Sequence, residues 1–116
     1  MINRAALILK YKQPAVDWIN ESDPYDDDPG ISLKDVNEER TVYLISDESA
    51  EDPIELEKWI KLNVQVLLEE ELNGWYQDDS LWPESLNYTL FKEWFDVECH
   101  TVLVDTVGSE IVDDEA

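Results

Sequence analysis

A surplus of negative charge constrains this chain more than any other feature. Twenty-nine Asp and Glu stand against eight Lys and Arg in 116 residues, for a formal net charge of −21. Repulsion on that scale opposes a compact state, keeps a protein soluble and biases it toward cationic partners. A fold therefore needs a substantial core, and the material is present: 43% of the residues are apolar, with five Trp and five Tyr. That content argues against intrinsic disorder. The acids are unevenly spread. Residues 1–16 hold Arg4, Lys10 and Lys12 and no acid, so every Asp and Glu lies from Asp17 onward. Such a surface repels nucleic acid and anionic membranes, so direct binding to either is not expected.

The length suits one domain. Residues 1–107 are expected to form it, with 108–116 as a frayed acidic tail. The longest apolar runs, such as 5–9, fall far short of the roughly 20 residues that span a bilayer. The N-terminus has a faint likeness to a signal peptide, but its apolar stretch is short and runs into Lys10 and Lys12 without a small-residue cleavage site. One cysteine, Cys99, cannot form an internal disulfide, and a reducing, cytoplasmic location is the simplest expectation.

Periodicity divides the chain into short elements. Residues 5–12 read as a strand that is buried early and exposed on one face late. Pro14 opens a short helix over about 14–20, and Ser32 with Asp35 marks one capped turn. Residues 41–46 (TVYLIS) have strand composition. Asp52-Pro53-Ile54-Glu55 is a helix start, and Leu56, Ile60, Val64, Leu67, Leu68 and Leu72 follow it at helical spacing, broadened by Trp59, up to a stop at Gly74. A third helix, about 85–95, carries Leu86, Leu90 and Trp94. A last strand over 97–107, apolar on both parities at 102–104, reads as interior to a sheet. The order is β-α-β-α-α-β, an α+β two-layer sandwich of about three strands packed by two or three helices. The segment between the first two strands is long enough for a parallel crossover.

Catalytic signals are weak. In the loop 23–30 (DPYDDDPG) the carboxylates suggest a hard cation, but with Gly30 at the sixth EF-hand position, Tyr25, Pro29 and Val36 fall where ligands are needed. Cys99 and His100 are adjacent, and on a strand neighbours point to opposite faces, so they cannot form a nucleophilic dyad and are too few for a metal site. There is no phosphate-binding glycine loop, nucleophile elbow or metalloprotease helix motif. The chain is expected to be no enzyme and to carry no cofactor, metal or catalytic residues.

The segment 69–82 (EEELNGWYQDDSLW) stands out. Glu69, Glu70 and Glu71 occupy the last turns of a helix, where the macrodipole disfavours negative charge. Trp75, Tyr76, Asp78, Asp79 and Trp82 follow at once. Aromatics among acids describe a contact surface for a basic partner, unless the two Trp serve as core. With Asp23, Asp26, Asp27 and Asp28, these residues are the candidate partner-binding set. The sequence thus suggests a small acidic interaction module for a basic protein surface, in its sharpest form a DNA mimic that occupies a nucleic-acid-binding protein. The mimic reading also draws on Asp47, Glu48 and Glu51, but the middle of the long helix, residues 58–68, offers Lys58 and Lys61 and no acid. The alternative is a plain acidic cytosolic domain, adapted to salt or binding a small molecule. Lys10 and Lys12 could dock on an acidic region of the same chain or of a second copy, which leaves monomer and homodimer both open.

Overall fold

A computed structural model describes residues 1–23 and 30–113. The fold is α+β, with elements in the order β1 (Arg4–Tyr11), α1 (Gln13–Glu21), α2 (Leu33–Val36), β2 (Val42–Ser46), α3 (Pro53–Trp75), α4 (Tyr88–Trp94) and β3 (Phe95–His100). Short 3-10 turns occupy Asp47–Ala50 and Asp79–Leu81. No described helix is long and apolar enough to cross a membrane.

The sheet has the order β2-β1-β3 and is antiparallel throughout. No parallel crossover is used, and β1, not the last strand, is the interior one. Because side chains alternate along a strand, Ala5, Leu7 and Leu9 point with Tyr11 to one face, opposite Ile45 and Tyr43 on β2 and Cys99, Val97 and Phe95 on β3. Ile60, Leu67, Leu68 and Leu72 of α3 and Phe91 and Trp94 of α4 complete this core. Leu7, Leu9, Leu68 and Leu72 are fully buried, each contributing about 1.5–3 kcal/mol relative to exposure. A satellite cluster of Val16, Ile19 and Val36 joins α1 to α2.

The helix starts are written locally. Asp52 accepts from the Glu55 backbone N–H at 2.9 Å, with Pro53 next. Ser32 does the same for Asp35 and Asn87 for Leu90. On the exposed face of α3, Glu57 pairs with Lys61 at 2.9 Å, the i,i+4 geometry of a helix surface.

Three elements differ from the sequence expectation. Helix α3 runs through Gly74 to Trp75, because Gly74 keeps helical geometry and Trp75 is held from below, as described next. Helix α4 starts only at Tyr88, where Asn87 caps it, and Phe95 already belongs to β3. The last strand spans Phe95–His100, and residues 101–113 form neither helix nor strand. Continuing the β1–β3 register, Val102 falls opposite Arg4, the first residue of β1, and Leu103 and Val104 lie beyond it. A single bond from Ile2 N–H to the Leu103 carbonyl continues the pairing, and with no strand to cover them Val102 and Val104 are largely exposed.

Candidate functional site

Glu71 is the one charged side chain among the buried residues described, 7% exposed. It sits four residues after Leu67 and three after Leu68, on the stripe that α3 turns toward the sheet. Tyr43 donates to its Oε2 at 2.7 Å and Tyr11 to its Oε1 at 3.3 Å. Trp75 in turn donates from its indole N–H to the Tyr11 phenol oxygen at 2.9 Å and packs edge-on against that ring. A carboxylate in such a place is tolerated because its oxygens are hydrogen-bonded. Burial pushes the Glu71 carboxyl upward, opposed by bonds from Tyr43, Tyr11 and Thr41. Both phenols are pushed far above their ordinary value, by burial first and then by Glu71.

Above this cluster three shallow hollows meet at Trp75, with volumes of about 230, 330 and 340 Å³. Their linings supply Glu39, Glu70 and Glu71 in the first, Asp23 in the second, and Asp35, Glu38 and Glu39 in the third. None of the lining residues is Lys or Arg. Trp75 is 37% exposed, and because its N–H is engaged, it offers ring surface to all three hollows. Helix α3 places Trp75, Glu70 and Glu71; α2 and the turn after it place Asp35, Glu38 and Glu39.

Of the residues singled out in the sequence, Glu70, Glu71, Trp75, Tyr76 and Asp23 come together around these hollows. Glu71 does so as a buried anchor. Glu69 accepts from Gln65 at 3.1 Å on the helix surface. Tyr76 and Trp82 hold the chain together: Tyr76 donates to the Ile19 carbonyl at 2.5 Å, Trp82 to the Tyr76 carbonyl at 2.8 Å, and Trp18 to the Leu81 carbonyl at 3.0 Å. Asp78 accepts from the Ser80 hydroxyl and backbone N–H, which lowers its carboxyl pKa, and so caps the turn that Asp79 begins. Asp26, Asp27 and Asp28 lie outside the described residues; Asp23 and Gly30, the described residues on either side of 24–29, both line the second hollow.

Asp35, Glu38 and Glu39 were not among the sequence candidates, nor was the burial of Glu71. The register of Glu71 on the apolar stripe was a readable signal. The approach of α2 to the end of α3 was not, since it depends on Asn37, whose side chain accepts from Tyr11 N–H at 2.9 Å and donates to its carbonyl at 3.1 Å.

Cys99 and His100 point to opposite faces of β3. Cys99 packs against the core and burial raises its thiol pKa, while His100 is exposed and lies 2.9 Å from Glu98. Lys12, just past the end of β1, turns to donate to the Lys92 carbonyl of α4 at 3.0 Å and parts company with Lys10. Among the described residues no group of three or more His, Cys, Asp and Glu is arranged to hold a metal ion. Compared with known proteins, the chain matches no protein family, curated protein or solved structure at a significant level.

Proposed function

We propose that this protein is a non-catalytic interaction module that binds a basic protein surface through the hollows around Trp75. The observation that carries this reading is the lining itself: one exposed indole shared by three hollows, six carboxylates around it and no basic residue. A Lys or Arg side chain entering there gains attraction to the carboxylates and contact with an aromatic face, a combination worth about 0.5–2 kcal/mol per cation–π contact. The Glu71–Tyr11–Trp75 chain holds the indole in place, which lowers the ordering cost of binding. Recognition of individual basic side chains is favoured over imitation of a phosphate backbone, because Glu71 is withdrawn into the core and Asp78 is engaged in capping. A cytoplasmic setting suits a module with one unpaired cysteine.

The test is titration with a short Lys/Arg peptide at about 0.15 M salt. Trp75→Ala, Glu39→Gln and Glu70→Gln should each weaken binding several-fold. Asp47→Asn and Glu48→Gln, which remove the same charge at the far end of α3, should not. Equal losses at both places would reduce the interaction to net charge and overturn the reading.

A further inference from the structure

We infer that the bare face of the sheet is where two copies of this chain pair. Helices α3 and α4 cover the Leu7 face of the three strands. The other face carries Arg4, Ile8 and Lys10 of β1, with Ala6 buried among its neighbours, Val42 and Leu44 of β2, and Asp96, Glu98 and His100 of β3. A solvated face of an antiparallel sheet ordinarily alternates to polar residues. Here its centre is apolar: Val42 is 52% exposed and Leu44 51%, beside half-buried Ile8.

Charge selects a second copy as the occupant. Two chains at −21 each repel wherever acidic surfaces meet, and within about 8 Å at physiological salt that repulsion is unscreened. On the bare face Arg4, Lys10 and Arg40 stand against Asp96 and Glu98, with Arg40 Nη1 3.9 Å from Glu98 Oε1. This face carries three cations and two carboxylates around an apolar centre, close to neutral on a chain at −21, so a second copy can set opposite charges across it in a two-fold contact. It is independent of the Trp75 hollows. Three strands give a face about 14 Å wide and about 27 Å long, less than the roughly 800 Å² that each partner of a stable interface buries. The pair is accordingly weak and concentration-dependent, and added salt strengthens it by screening the acidic remainder.

Sedimentation equilibrium of the full chain, up to about 1 mM protein and at about 0.05 and 0.5 M NaCl, tests the inference. The expected result is a rise from 13.5 kDa toward twice that mass, steeper at high salt. Leu44→Glu should weaken association by about tenfold or more. Leu62→Glu, at an 85% exposed site on α3, adds the same charge and should leave association close to wild type. Circular dichroism checks folding, and Val42→Thr, nearly the same shape with a hydroxyl, replaces Leu44→Glu should that variant unfold. A monomer under all conditions, or equal effects of the Leu44 and Leu62 variants, would overturn the proposal.

Discussion

Tyr43 on β2 donates to Glu71 on α3 at 2.7 Å, so the long helix is fastened to the edge of the sheet through a carboxylate inside the core. The same carboxylate takes the Tyr11 phenol and, through it, the indole of Trp75. The acid that the helix dipole disfavours at this position is compensated by the phenols of two strands.

The pH response of this fastening has a definite sign. Burial raises the folded-state pKa of Glu71 above its unfolded value, so folding favours the protonated form. Its contribution to stability is full below the unfolded pKa and declines as pH rises through the raised value. Glu71→Gln keeps an acceptor oxygen and removes the ionisation. The unfolding midpoint of this variant relative to wild type should therefore shift in the variant's favour between about pH 4 and pH 7; a difference that does not change with pH would contradict this.

Asn37 occupies the place where β2 has ended and β1 still needs a partner. Asn37→Ala leaves the Tyr11 N–H and carbonyl without those bonds and should cost about 1–3 kcal/mol, read from denaturant midpoints. It should also weaken peptide binding, because Glu38 and Glu39 follow this residue.

Gly30 has a φ of 81°. A Cβ there would meet Asn20 Oδ1 at 2.8 Å, and Asn20 is the side chain that accepts from the Ile31 N–H at 2.9 Å. Gly30→Ala should destabilise by about 1–2 kcal/mol from backbone conformation alone. Chemical denaturation measures it, and a neutral result would show that this turn is free to rearrange.

Tyr76→Phe removes only the hydroxyl that donates to Ile19. A loss of about 1 kcal/mol is expected, with peptide affinity close to wild type, since the ring that lines the second hollow remains. A large drop in affinity at unchanged stability would assign Tyr76 to the contact surface itself.

Much of the fold was legible because its signals are local. Asp52-Pro53 and Ser32 cap the helices that their side chains suggest, and the apolar stripe of α3 faces the core. The strand at 42–46 follows from its β-branched and aromatic content. Alternation along β3 separates Cys99 from His100, as a strand must. The errors fall where a neighbour decides. Residues 102–104 have strand composition, but a strand needs a partner, and β1 reaches only Val102, opposite its first residue Arg4. Gly74 permits a helix stop but does not require one, and the anchored indole of Trp75 carries the helix past it.

The sequence by itself determined the element types, the acidity and the presence of aromatics among acids near residue 75, because these depend on composition and on contacts within one or two turns. The tertiary structure alone decided the antiparallel order with β1 in the centre, the sinking of Glu71 beneath Tyr11 and Tyr43, and the gathering of Asp35, Glu38 and Glu39 beside Glu70. Those outcomes rest on pairings between residues 26 to 94 positions apart, whose energies no local pattern carries.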